Sequence, residues 1–304
     1  MIVSAEWLAS HLNDPSLRLV DVRSLLGDPD KGRSEYAIGH IPGAQFLDVE
    51  SDLAGHEGGG RHPLPDLDTF ASTIGSLGIS RDHQVVIYDA DHGSMAARLW
   101  WMLRHIGHER AAVLDGGWPA WIQAGGSQTS VRPGFTPVTY EMNVRTDDQA
   151  TRTEVAKRSS TTTLIDARAG ARYRGEFEPI DPVAGHIRGA INIPHESLAR
   201  DGRMLPVAEL TLHLTADRDA IAYCGSGVTA CYVILAHAVA GFPLPKLYVG
   251  SWSDWVGAGM PVAVTGTQTA HDELPGTDDR ISATDHRESG TDGGESATDH
   301  PAPR

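Results

Sequence analysis

Short apolar runs rich in β-branched residues recur along the chain between polar and glycine-rich stretches. Residues 17–22, 84–88 and 111–114 read as strands, too short for helices and bounded by turn-forming residues. Residues 94–106 and 118–124 carry apolar positions at helical spacing. The same alternation returns in the second half, where Ala220-Ile221-Ala222-Tyr223 reads as a strand and residues 229–240 as a helix. Short two-sided strands alternating with helices predict an α/β fold. Each sheet is expected to be mostly parallel, with helices on both faces.

The pattern is written twice, at an offset of about 145 residues, which indicates a duplicated domain rather than a solenoid. Leu19-Val20-Asp21-Val22-Arg23, Tyr36 and Gly39-His40-Ile41-Pro42-Gly43-Ala44 are answered by Leu164-Ile165-Asp166-Ala167-Arg168, Tyr173 and Gly185-His186-Ile187-Arg188-Gly189-Ala190. Val85-Val86-Ile87-Tyr88-Asp89 is answered by Ala220-Ile221-Ala222-Tyr223-Cys224, and Asp115-Gly116-Gly117-Trp118 by Val249-Gly250-Ser251-Trp252. The expected organisation is a domain over 1–129, a linker over 130–150 and a domain over 151–265. The linker holds Pro133, Gly134 and Pro137 and keeps no period. Residues 266–304 carry nine acidic side chains and three arginines with almost nothing to bury, so a disordered acidic tail is expected.

Candidate chemistry concentrates at Cys224-Gly225-Ser226-Gly227-Val228-Thr229. A thiol here ends a strand and faces a glycine-rich turn that opens a helix. Main-chain N–H groups and a helix N-terminus favour negative charge on sulfur, so a lowered thiol pKa and a nucleophilic role are expected. The other cysteine, Cys231, lies two helical turns on and is expected to pack inside, unbridged. The repeated His40 and His186 and the tryptophans Trp118, Trp121, Trp252 and Trp255 read as structural.

Composition narrows the class. The 304-residue chain is 40% hydrophobic and 21% charged, as in globular proteins. Its net charge of −15 argues against nucleic acid as a partner. No apolar run approaches the ~20 residues of a membrane span. The N-terminus lacks the basic and apolar regions of a signal peptide, so a cytoplasmic location with no membrane partner is expected. Two cysteines make neither a disulfide framework nor a thiolate zinc site.

Together these motifs resemble the tandem-domain rhodanese family of sulfurtransferases over roughly residues 1–265. The resemblance implies two tandem rhodanese-like domains and no metal or organic cofactor. It implies that Cys224 takes a sulfane sulfur from thiosulfate or 3-mercaptopyruvate and holds it as a persulfide. The acceptor would be cyanide, a thiol or a reduced protein thiol. Gly225, Ser226, Gly227, Val228 and Thr229 would line the donor site, with Arg172 gripping the donor's carboxylate or sulfonate. Asp89, opposite Cys224 in the repeat, cannot carry sulfur and should be repelled by an anion-binding loop, so the first domain is expected to be catalytically silent.

Within the resemblance, the Cys-Gly-Ser-Gly run is the one typical of mercaptopyruvate-preferring members. However, Ile180 stands where such members carry a second arginine, and Arg188 replaces a usual proline; whether Arg188 takes the missing contact stays open. Glu50 and His62 would form a proton relay with Ser226, with Glu where Asp is usual. Two alternatives remain. One is a cysteine phosphatase, disfavoured because its loop is longer and ends in an arginine. The other is a non-catalytic binding or persulfide-sensing module.

Overall fold

The computed structural model describes residues 1–265. The strands of the first repeat lie in the order Ile2–Val3, Ala111–Leu114, Gln84–Tyr88, Leu17–Asp21 and Ala44–Phe46, each pair parallel. The second repeat gives the matching order Gln149–Ala150, Lys246–Tyr248, Ala220–Tyr223, Thr163–Asp166 and Ala190–Asn192, also parallel throughout. Helix ends fall within a residue of expectation: Ser94–His105, Gly117–Gln123 and Ala230–Ala240.

Period-two alternation explains the layers. In the first sheet Val85 and Ile87 enter one apolar cluster, Val86 and Tyr88 the other. In the second sheet Ala220, Ala222 and Cys224 face one cluster, Ile221 and Tyr223 the opposite one. The cluster holding Cys224 is shared between the repeats. Helices Ser94–His105 and Ala230–Ala240 pack on each other across it, with Leu99, Trp101, Ile234 and Leu235 fully buried. Truncating such a side chain to alanine costs about 2–5 kcal/mol. The cysteine therefore ends a central strand at its carboxyl end, where open α/β sheets place their ligands.

The stretch expected as a linker, 130–150, forms no helix or strand until its last two residues, which are the edge strand of the second sheet. Before that it hugs the first repeat, with the N–H groups of Val138, Asn143 and Arg145 donating to the carbonyls of Gly75, Ile106 and His105 at 2.9, 3.0 and 2.8 Å. The expected tail, 266–304, lies outside the described residues. Among the described residues no helix is long and apolar enough to cross a membrane.

Candidate active site

Cys224 is 2% exposed, sealed between the repeats. Two anchors fix it. Its N–H donates to Ser251 Oγ at 3.1 Å, and its carbonyl accepts from the Trp252 N–H at 3.0 Å. Ser251 adopts φ +54°, where the matching residue of the first repeat, Gly117, adopts +53°. A side chain there costs about 1–2 kcal/mol, and the hydroxyl it supplies is the group that holds Cys224. The Gly227 N–H donates to Cys224 Sγ at 3.1 Å; among the described residues it is the main-chain donor of the expected ring that reaches the thiol sulfur. Gly227 adopts φ +81°, and a Cβ there would run into the Val249 carbonyl, so only glycine fits. Val228 is buried in the shared cluster, and Thr229 sits at the helix cap without a side-chain capping bond.

The first repeat reaches into this loop with three side chains. Gly59 and Gly60 let the chain run against residues 250–254, where a Cβ on Gly59 would strike the Asp254 carboxylate and one on Gly60 the Gly250 carbonyl. The Arg61 N–H then donates to Ser253 Oγ at 3.1 Å, which delivers Arg61 and His62 to the loop. His62 Nδ1 lies 2.7 Å from Ser226 Oγ, and its Nε2 lies 3.7 Å from Glu50 Oε1, which also accepts from the Gly27 N–H at 3.0 Å. Burial pushes the His62 imidazole below its usual range, with the Arg98 charge acting the same way and Glu50 opposing. Arg98 is fully buried inside helix Ser94–His105. Its guanidinium donates to the Gly227 carbonyl at 3.0 Å and to the carbonyls of Leu53 and His62 at 3.2 and 3.1 Å. One cation thus ties the loop to the segment that carries His62.

Arg172 stands on the short helix Gly170–Arg174 and overhangs the loop. A Cβ on Gly225 would lie 3.4 Å from Arg172 Nη2 and 2.9 Å from Arg61 Nη2. The Arg172 fork is filled by Glu178 at 2.9 and 2.7 Å, with Asp181 at 3.5 Å, and Arg61 Nη1 pairs with Asp181. Burial pushes Glu178 up, but the Arg172 bond and the N–H groups of Asp181 and Ile180 outweigh it and hold its carboxyl below the usual range. Burial raises the Asp181 carboxyl, against the pull of Arg61.

One open question closes and one expectation changes. Arg188 is an exposed residue just before strand Ala190–Asn192, at the opposite end of the sheet from Cys224, so the missing arginine contact is not its own. Asp89 is not repelled by its loop. Its carboxylate accepts from the N–H groups of Asp91, Gly93, Met95 and Ala96 at 2.9–3.2 Å; burial pushes the carboxyl up, and these inward main-chain donors act against it in favour of the anion.

Arg61 and Arg98 were missed in the sequence. Arg98 had a signal, a charge among apolar residues in the first half of its helix; Arg61 had none beyond its neighbour His62. The repeated elements are structural in both halves. Arg23 pairs with Asp21 and Arg168 with Asp166, each 4.3 Å over a tryptophan ring. His40 and His186 stack on Tyr36 and Tyr173 with 4.0 Å between ring centres.

Comparison with known proteins agrees with this architecture. The rhodanese-like domain profile matches residues 4–124 and again 151–258. A protein of Pseudomonas aeruginosa described as a probable 3-mercaptopyruvate sulfurtransferase is 42% identical over 270 residues, covering 84% of this chain and 94% of its own. The thiosulfate sulfurtransferase of Rattus norvegicus is 35% identical over 271 residues, covering 84% and 91%. The crystal structure of SseA from Escherichia coli, described among the 3-mercaptopyruvate sulfotransferases, superposes with a TM-score of 0.72 at 36% identity, covering 83% and 98%. Two profile matches in tandem, full-length relatives of both donor types and two congruent parallel sheets place the chain in the rhodanese family, as a tandem-repeat sulfurtransferase.

Proposed function

We propose that Cys224 is the sulfur carrier of this sulfurtransferase, with 3-mercaptopyruvate the favoured donor and thiosulfate a second one. The observation that carries the reading is the setting of one thiol. Cys224 Sγ accepts the Gly227 N–H beneath two guanidiniums, one residue from the Ser226 that touches His62. The Cys224 thiolate attacks the donor's terminal sulfur. With thiosulfate the S–S bond breaks and sulfite leaves with the electron pair. With mercaptopyruvate the carbon–sulfur bond breaks, its electron pair passes to the methylene carbon, and the proton given up by the donor thiol ends there, yielding pyruvate. Cyanide or a thiol then takes the outer sulfur, and Cys224 departs as thiolate.

In this reading Ser226, His62 and Glu50 carry the proton to the leaving carbon. The neutral imidazole favoured by burial suits that work near pH 7. Arg172 receives the donor's anionic end, and Gly225, Gly227, Val228 and Thr229 shape the loop. Residues 151–265 hold the sulfur, 130–150 join the halves, and 1–129 form a silent repeat. Asp89 supports that silence, since its carboxylate fills the place an anionic sulfur would take. The acceptor is read as cyanide, a small thiol or a reduced protein thiol. The location is read as the cytoplasm, which suits two unbridged cysteines.

The test is substitution with both donors. Cys224→Ser should abolish turnover and the mass gain of one sulfur after donor incubation; turnover surviving in that variant defeats the reading. His62→Ala should slow mercaptopyruvate turnover about 100-fold, and thiosulfate turnover at least tenfold less, because sulfite needs no proton to leave.

A further inference from the structure

We propose that Asp181 is a tethered competitor of the donor's carboxylate, held on Arg61 beside Arg172, and that Arg61 of the first repeat is the second guanidinium of the donor site. This deepens the reading above and rests on Cys224 as the sulfur carrier.

The two forks converge over Gly225, the residue next to Cys224, at 2.9 Å for Arg61 and 3.4 Å for Arg172 from where a Cβ would stand. The two guanidiniums thus cover the residue beside a thiol that is 2% exposed. Each fork is occupied by a carboxylate from one stretch of chain, Glu178 on Arg172 and Asp181 on Arg61. A guanidinium fork matches a carboxylate in shape and charge whether that carboxylate belongs to the chain or to a ligand. The chain therefore supplies its own copy of the group that the donor would present.

Arg61 differs from the arginines that hold the fold. Arg23, Arg98 and Arg168 are 4% exposed or less and donate to main-chain carbonyls. The Arg61 side chain is 30% exposed, its guanidinium pairs with the Asp181 carboxylate, and its Nη2 overhangs the loop. Ile180, where a second arginine was sought, is 59% exposed. Arg61 fills that vacancy from the other repeat. Glu178 is also bonded to the buried Arg168 and to the N–H groups of Ile180 and Asp181, so it stays in place. A small carboxylate arriving at the loop would take over the Arg61 fork and share Arg172, Asp181 would swing out, and the path to Cys224 would open. Recognition of the carboxylate and access to the thiol then become one event.

The experiment compares Arg61→Ala, Arg61→Lys and Asp181→Asn in the full chain, reading the KM for mercaptopyruvate and the inhibition constant of pyruvate, which carries the carboxylate without sulfur. Loss of one charge-assisted contact corresponds to about a 10–100-fold weaker grip. Arg61→Ala should raise both constants by that factor, and Arg61→Lys should fall between it and the parent. Asp181→Asn, which removes the competitor, should lower both by about 3–10-fold. A purely structural ion pair would respond with the same sign from either side. Asp181→Asn raising the constants or leaving them unchanged, or Arg61→Ala leaving them unchanged, overturns the proposal. An equal or larger change in the KM for thiosulfate overturns the carboxylate assignment. If Cys224→Ser kept its turnover, the site itself would fall; if only the Arg61 and Asp181 results failed, the site would stand without this competitor.

Discussion

Replacing Gly227 by alanine tests the persulfide loop most sharply. Gly227 adopts φ +81°, which costs an L-residue about 1–2 kcal/mol. Its new Cβ would lie closer than 3.0 Å to the Val249 carbonyl oxygen and 3.2 Å from the carbonyl carbon. That main chain cannot drift freely, since Val249 directly follows strand Lys246–Tyr248 and the Gly227 carbonyl is pinned by Arg98. Overpacking of this kind adds about 1–3 kcal/mol, for a total of about 2–5 kcal/mol.

Gly241→Ala is the control. Gly241 adopts φ +74° and its Cβ would meet nothing within 4 Å, so it reports the backbone term alone. Urea unfolding followed by the fluorescence of the seven tryptophans should place Gly227→Ala about 1–3 kcal/mol below Gly241→Ala. Relief of the clash also carries the Gly227 N–H off Cys224 Sγ, so kcat/KM should drop about 10–100-fold with either donor. Equal stability of the two variants, or a parental kcat/KM in Gly227→Ala, would refute the reasoning.

Two further outcomes are expected. Burial raises the Cys231 thiol to about 12, so under native conditions near pH 8 iodoacetate, which brings a carboxylate of its own, should label Cys224 and leave Cys231 untouched until the chain is unfolded, as peptide mass mapping would show. The imidazoles of His62, His108, His195 and His237 are all held down by burial. The unfolded chain thus binds more protons than the folded one just below the ordinary imidazole value, and stability should fall as the pH drops below about 6.5. Melting curves between pH 8 and 5 check the sign; a melting temperature flat or rising toward pH 5 contradicts it. The raised carboxyls of Asp89 and Asp181 act in the opposite sense, starting from their own ordinary value of about 4.

Much of the fold was written locally. The runs Gln84–Tyr88 and Ala220–Tyr223 are apolar on both faces, as strands of a covered parallel sheet must be, and the turn after Cys224 announces itself by glycine spacing. Strands such as Ile2–Val3 and Ala44–Phe46 were not legible, since two or three residues carry no period and exist only through their parallel partners. The same division runs through the site. Cys224 and Ser226 belong to one turn, and His62 came with the resemblance. Arg61 is 120 positions from Asp181 and Arg98 is 129 from Gly227, so their meeting depends on how the halves dock. Asp89 was misjudged because sequence shows the charge of a side chain but not the direction of the N–H groups around it.

Helix Ala230–Ala240 buries nine of its eleven residues, and part of that cover is the facing helix of the first repeat. A chain severed between its halves would leave the cysteine-bearing fragment with a bare oily flank and a loop stripped of its arginine tether. Such a fragment should clump rather than work as a smaller enzyme. Duplication has thus given the cysteine-bearing repeat a partner that covers its apolar flank, and mutations far from Cys224 should weaken the protein by prising the two apart.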